Sequence, residues 1–598
     1  KKENSLSFSI RIFAPQPMAW LAVFGLLAAA TLEAGCGLPG SFLVRPASQA
    51  PGLAGGSALL EKLDRMHLPD RILPTEAQIG QIMEAVQAMA TSLPKNAQGA
   101  LSASTARYAL HRYFIRHHGW QVKGLAPAGQ SWSPSSPVLG LGDRLPGPVR
   151  DVFEEHFARN SQDLHGIAVL AATVQNLIHR EAIQQLRDTY AVLSKDVANY
   201  LSEEDMTSVL NTYLASYVLG YNISNMPDER LNQLAADVEY EFPYWNRTQE
   251  LLRAARQEVG PGFPAFSFRD VTTIAESVTD RFGTQQIQQS CTEIKDRLLV
   301  MEAKRGTGRV RLGDFYASNL NNESWQFMER VEYLRQMGAL DESSSSSPQV
   351  IIPNYVYMHA NCLDVSEFYD VCCMDACDYR LSELERVVRA PSATPQDILN
   401  VILTMTPAGR LGNVTLSAAL VKKLEEVAQH HGGVVPMHGR LFAQWLHFVF
   451  PQECPYPHIS GTVTSLTDKA WFEATGTQHW FSDEEMKLFL RKSFKASSRA
   501  AGQQQQQQQQ QQEQQEDSLV STLWTKEEEL LDAAYRTAAV DTQLHQPVMS
   551  TRSLALSTLA FFMALFFSAI VFRDTVLEFA AFVPAKSGNK AGRDIVRI

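Results

Sequence analysis

The chain has 598 residues, with 64 acidic against 53 basic side chains and a net charge of −11. That balance, with no basic cluster interleaved with aromatics in its large part, argues against a nucleic-acid partner. Hydrophobic residues make up 45% and charged ones 20%, the proportions of a folded chain rather than a disordered one, and the length suggests roughly two to four domains.

Met18–Ala30 (MAWLAVFGLLAAA) is too short to span a bilayer comfortably but suits a signal-peptide core. Lys1, Lys2 and Arg11 precede it, and Ala28–Ala30 and Ala34–Gly35 offer small-residue cleavage points, so residues 1–35 are predicted to be a leader. Were Met18 the initiator, those basic residues would play no part; a short buried helix is the plainer alternative. Residues 36–150 are expected to begin with a Gly/Pro/Ala-rich stretch. Helical patterns over Leu59–His118 follow, broken by Pro69, Pro74 and Pro94, and then a Pro/Gly/Ser linker, Ala126–Pro148.

Residues 151–340 read as a helical domain. Ile167, Leu170, Val174, Leu177, Ile178, Ala182, Leu186, Tyr190 and Leu193 lie on one face of a long helix or two abutting ones. Met206, Leu210, Tyr213, Leu214 and Tyr217 mark a second helix, capped by Ser202-Glu203-Glu204-Asp205. Ile287, Cys291, Ile294 and Leu298 mark a third. Trp325, Met328, Val331 and Leu334 mark a fourth, stopped by Gly338.

Two stretches have EF-hand-like helix–loop–helix spacing. In Gln184–Leu214, with Leu201 at the loop centre, Ser194, Asp196 and Ala198 take the first, third and fifth positions, Asn199 the turn and Asp205 the last. In Ile287–Leu320 the loop is Ala303–Asp314, with Gly308 and Val310 in register but Ala303, Arg305 and Thr307 at the ligand positions. Calcium wants six to eight oxygens. Ser194, Asp196 and Asp205 are a thin calcium-type set, and the second loop puts a cation where a ligand belongs.

Asp341–Pro348 (DESSSSSP) cannot bury a core and marks a boundary or an exposed loop. Residues 349–495 are expected to form a Cys/His-rich, mainly helical domain, opening on a β-type run at Val350–Val356. Helices are predicted near Leu381–Val388, over Leu416–His430, over the buried run Leu441–Phe450 and after Ser482. Within it His359, Cys362 and Cys377, with His438 and His458 further on, are weak zinc candidates, because H-x2-C and C-x3-C only approximate zinc spacings. Cys454 with His458 invites a thiol nucleophile–base reading, without any local signature to support it. The plainer reading pairs Cys291, Cys362, Cys372, Cys373, Cys377 and Cys454 as disulfides; six cysteines allow many connectivities and the sequence chooses none. His447, inside an apolar helix, reads as a core histidine. No nucleotide-binding, serine-hydrolase or zinc-protease motif occurs.

Residues 496–550, with ten consecutive glutamines at Gln503–Gln512, read as a low-complexity stalk. Ser553–Phe572 is twenty uncharged residues between Arg552 and Arg573. At about 1.5 Å per residue it reaches about 30 Å, the thickness of a bilayer core. Residues 573–598 carry Arg573, Lys586, Lys590, Arg593 and Arg597, and basic flanks stay cytoplasmic. The large part is therefore predicted to be lumenal or extracellular, in a membrane of the secretory pathway, the cell surface or an organelle reached through it. Asn222, Asn246, Asn322 and Asn413 lie in sequons compatible with glycosylation.

PNYVYMHANCLDVSEFYDVCCMDACDYRLSELERVV, HHGGVVPMHGRLFAQWLHFVFPQECPYPHISGT and GTGRVRLGDFY with NNESWQFMERVEYLRQMGALDES make Asp151–Gly461 resemble a group of large uncharacterised proteins of dinoflagellates and other algae. The resemblance implies one unit over that span and carries no activity or residue role. The expectation is a mainly α fold with minor β, in a single-pass type I membrane protein whose helical region binds or scaffolds a protein partner and needs no cofactor. A lumenal metal-assisted or thiol-based enzyme is the alternative, and a calcium-responsive module a weaker one.

Overall fold

A computed structural model describes residues 53–531, apart from 66–72, 97–98, 126–139, 160–162, 261, 263, 318–325, 345–346, 406–415, 464–465, 467 and 492–522. The described residues are mainly helical with short strands. Among them no helix is long and apolar enough to cross a membrane. The leader at 1–35, Cys36, the glutamine tract, Ser553–Phe572 and the basic tail lie outside the described residues.

The chain opens with α1 (Leu53–Asp64), α2 (Glu76–Ser92), α3 (Ala103–His118), β1 (Trp120–Val122) and α4 (Gly147–Arg159). These surround α5 (Leu164–Val192), a single helix of 29 residues. From Ile167 to Val174 every residue of α5 is buried, whereas beyond Ile178 only Leu186, Thr189 and Tyr190 are. A helix apolar on all sides belongs at the centre of a fold, and one with a stripe belongs at its edge; α5 is the first at its start and the second at its end. The predicted linker differs in its last part: Leu141 and Leu145 are buried in the same core.

Next come α6 (Glu203–Val218), α7 (Asp228–Glu241), α8 (Trp245–Val259), α9 (Phe268–Arg281) and α10 (Ile287–Val300). A π turn, Phe282–Gln286, fuses α9 to α10. Ser202, Asp163 and Ser267 each cap their helix through a side-chain oxygen, as their short polar side chains favour. Gly283 in the π turn lies against the backbone at His118, where a Cβ would meet the His118 carbonyl at 2.5 Å, so β1 can start directly on the helix.

Then follow β2 (Arg309–Arg311), α11 (Leu312–Ala317), α12 (Val331–Gln336), β3 (Leu340–Asp341), β4 (Gln349–Ile351) and α13 (Ile352–Val356). The fourth predicted helix is thus short, and Gly338 turns the chain after it at φ +71°. Residues 342–348 connect β3 to β4 within one antiparallel sheet of order β2-β4-β3. Glu342–Ser344 are exposed, Asp341 is buried, and the cores do not divide there. A second sheet sets β6 (Tyr369–Val371) between β1 and β5 (Leu363–Asp364).

A second core gathers α14 (Ala376–Val388), α15 (Pro395–Thr404), α16 (Ala418–His430) and α17 (Arg440–Val449) around Leu384, Ile398, Leu424, Phe442 and Trp445. Residues expected in one Cys/His-rich domain are therefore shared: Val350–Val371 and, later, Trp471, Met486 and Leu490 belong to the first core. Helix α18 (Asp468–Thr475) and a helix at 483–491, capped reciprocally by Ser482 and Glu485, complete the first core around Tyr316 and Tyr333.

All six candidate cysteines are paired. Cys362–Cys372 staples the β5–β6 hairpin, Cys291–Cys373 ties α10 to the end of β6, and Cys377–Cys454 joins the start of α14 to the end of α17. They close loops of 82, 10 and 77 residues for Cys291–Cys373, Cys362–Cys372 and Cys377–Cys454 respectively. Loop-closure entropy assigns about 4.5 kcal/mol to either long loop and about 2.7 kcal/mol to the short one. Denaturant unfolding of paired Cys→Ser variants should rank them in that order, with Cys362/Cys372 the mildest.

Candidate functional site

The loop between α5 and α6 is closed by its own cation. The Lys195 ammonium donates to Asp205 at 2.5 Å, and the Ser202 hydroxyl donates to the same carboxylate at 3.0 Å. These hydrogen bonds hold the exposed Asp205 carboxyl below its ordinary range. Asp196 is spent on a turn, accepting from the Ala198 N–H at 2.9 Å, and Ser194 stands at φ +55°. Leu201 exchanges both backbone hydrogen bonds with Phe266, each at 2.9 Å. The loop partner is thus the α8–α9 connection. The 303–314 loop pairs instead, through β2, with strand β4, setting Val310 opposite Val350.

In that second pair the cation is Arg309, only 1% exposed. Its Nε donates to Asp341 at 2.7 Å, one terminal nitrogen to the Thr307 carbonyl at 3.0 Å and the other to His447 Nε2 at 3.2 Å. Burial alone would raise the Asp341 carboxyl, but the Arg309 guanidinium and the Ser343 hydrogen bonds together outweigh it and hold it below the usual range. Glu302 accepts from the Gly306 and Gly308 N–H groups at 2.9 and 2.6 Å. Gly308, at φ +66°, abuts the Pro451 carbonyl so closely that no side chain fits.

The zinc candidates do not converge. Cys362 and Cys377 are in disulfides with Cys372 and Cys454. His359 donates to Asp370 at 2.8 Å, His438 to Glu385 at 2.8 Å, and His458 to the Gly338 carbonyl at 2.7 Å. Among the described residues no group of three or more His, Cys, Asp or Glu side chains is placed to hold a metal ion. Asn222 and Asn246 are exposed; Asn322 and Asn413 lie outside the described residues.

Sequence reasoning missed two polar assemblies. In the first, Arg112 of α3 reaches across to α14, donating to Asp378 and Glu385 at 2.5 Å each and to Ser382 at 3.0 Å. Burial would raise Glu385, but Arg112 and His438 outweigh it and hold its carboxyl down. Beside this network opens a pocket of about 210 Å³, lined by Met89, Tyr113, Arg116 and Tyr379 among others and by none of the expected site residues.

The second assembly corrects the stalk expectation, because residues 523–531 dock on the second core. Arg440 donates its backbone N–H to the Glu529 carbonyl at 2.9 Å, and its guanidinium donates to the Glu527 carbonyl and Thr525 Oγ. Gln444, fully buried, takes both main-chain groups of Thr525: its Nε2 donates to the Thr525 carbonyl at 3.2 Å and its Oε1 accepts from the Thr525 N–H at 3.3 Å. Glu528 accepts from His431 at 2.8 Å and from the Leu441 N–H, in the first turn of α17, at 3.1 Å. Glu529 accepts from the Ser460 N–H and hydroxyl at 3.0 and 2.7 Å. Trp524 lies under the Lys423 ammonium, and Leu531 is buried in the first core. An Arg and a Gln inside the run RLFAQWLHFVF were the available signal.

His447 is a satisfied core histidine: its Nδ1–H donates to the Cys454 carbonyl at 2.7 Å while Nε2 accepts from Arg309. Burial, reinforced by Arg309, pushes its pKa down to about 3. A depressed folded pKa contributes stability that is complete above about 6.5 and lost as pH falls toward 3. His447→Gln should therefore flatten the acid limb of unfolding stability in that window, by on the order of 5 kcal/mol relative to the unsubstituted chain.

No protein-family model, no curated protein and no solved structure matches this chain.

Proposed function

We propose that this chain is a metal-independent binding or scaffold protein, anchored as a single-pass type I membrane protein with its helical region on the oxidising side. The observation that carries the reading is the pairing of all six candidate cysteines. Disulfides persist in lumenal and extracellular compartments and are rare where thiols are kept reduced. The same pairing argues against the thiol-based enzyme, whose nucleophile would have to be a free thiolate. Ser553–Phe572 supplies the anchor.

The frame is a set of EF-hand-type helix–loop–helix units that retain the loop pairing and have given up the ion. At the loop centres Leu201 bridges to Phe266 and Val310 pairs with Val350 of β4. The ligand positions are filled by Ala303, Arg305 and Thr307 in one loop, and Asp205 is neutralised by Lys195 in the other. A calcium ion entering the 194–205 loop would have to displace that ammonium with too few oxygens around it. The resemblance to the algal group adds only that this region behaves as one unit.

Two measurements test the reading. Thiol labelling of the denatured, unreduced protein should modify no cysteine other than Cys36, and all seven cysteines after reduction; labelling of the other six before reduction contradicts it. Adding millimolar calcium should leave Tm unchanged, and a rise of several degrees would restore the calcium-responsive module.

A further inference from the structure

The contact between residues 523–531 and the second core has the chemistry of a ligand in a site. The groove lies between the first turns of α17, the end of α16 and the loop at 456–460. Its polar groups are aimed at main chain: Gln444 takes both main-chain groups of Thr525, Arg440 takes the Glu527 carbonyl, and Gly439 bridges to Leu530. Main-chain hydrogen bonds plus spaced side-chain pockets are how extended peptides are recognised. A side chain at Gly439 would run into Glu528 at 3.0 Å and Leu530 at 3.1 Å, so that glycine keeps the groove open.

The hold is suited to release. Of the docked residues only Leu531 is fully buried, and Trp524 and Leu530 remain partly exposed. Beyond the ring contacts of Trp524 the attraction is polar, each neutral hydrogen bond contributing about 0.5–1.5 kcal/mol net and each one to a charged group about 1.5–3 kcal/mol. With the segment gone, Gln444 Nε2 would lose the Thr525 carbonyl and the Arg440 guanidinium would keep the Pro457 carbonyl but lose its bonds to Thr525 and Glu527, so the empty groove favours another peptide of like chemistry.

We propose that this groove is a peptide-binding site for an extended acidic segment of a partner protein, of the pattern Trp-Thr-x-x-Glu-Glu-Leu, and that residues 523–531 are its exchangeable ligand in cis. The pattern follows the contacts. The aromatic ring lies against Phe448 and Lys423. The first Glu meets His431 and the α17 N-terminus, where the helix dipole favours an anion. The second Glu meets Ser460. The inference deepens the binding reading by naming its site and ligand class, and it stands or falls independently of the thiol and calcium measurements.

The test uses the full chain and a fluorescent peptide carrying residues 522–532. The doubly substituted chain Trp524→Ala/Glu528→Ala, whose own segment is weakened, should bind the peptide at least tenfold more tightly than the unsubstituted chain. Adding Gly439→Val should abolish that binding, and a peptide with both Glu528 and Glu529 reversed to Lys should not bind. Equal affinity of the doubly substituted and unsubstituted chains overturns the proposal. Should the doubly substituted chain fail to fold, a protease site placed within Gln503–Gln512 provides the second arm. After cleavage, excess peptide should displace the C-terminal fragment on gel filtration, and retention of the fragment overturns the proposal. A concentration-dependent dimer of the unsubstituted chain that Trp524→Ala abolishes would assign the groove to a second copy and overturn the partner.

Discussion

Buried guanidinium groups decide how this protein is put together. Arg309 stands between the two cores, with Asp341 from the first on one side and His447 from the second on the other. Arg112 makes the same crossing from α3 to α14 through Asp378 and Glu385. A charge removed from water costs several kcal/mol unless it is paired and hydrogen-bonded. Arg112 therefore ties carboxylates of the second core to the first, and the cores cannot separate without leaving those charges unpaired; Arg309 pairs with Asp341 inside the first core and reaches the second through His447. The planar fork of arginine, with five donors, allows it to satisfy partners on both cores at once. Around these joints the disulfides act locally: one closes a hairpin, one holds α10 to the sheet, and one braces the second core.

Internal cations also close the two loops. In both pairs a positive side chain of the chain itself compensates an acidic residue, Lys195 for Asp205 and Arg309 for Asp341. The exposed Lys195 pair is a weak, screened contact. The Arg309 pair is buried and fixes β2 against β3.

What the sequence showed was whatever local spacing determines. The α5 stripe, the Ser202 cap, the buried run before Phe450 and the involvement of six cysteines in disulfides are properties of neighbouring residues, and each appears as expected. What it hid was pairing across the chain. The loop partnering 194–205 contains Pro261 and Pro264 and no ligand-like pattern, so only Phe266, opposite Leu201, reveals it. The serines after Asp341 suggested a boundary because their composition is polar, while the strands on either side of them belong to one sheet. Residues 523–531 were read with the glutamines before them, since three glutamates look like solvated charge until His431, Leu441 and Ser460 are seen to receive two of them. The site candidates failed to assemble for a related reason: spacing can propose a zinc pair, but the oxidised state of Cys362 and Cys377 removes its thiolates.

The most direct test of the account is a double-mutant cycle on Arg112 and Glu385 by denaturant unfolding. Arg112→Met and Glu385→Gln should each destabilise the protein by about 3–5 kcal/mol, because each takes a partner from a buried charge at the joint. The combined variant should lose far less than their sum, giving a coupling of about 2 kcal/mol or more. Losses that simply add, or singles that cost nothing, would show that the buried guanidinium does not hold the two cores together.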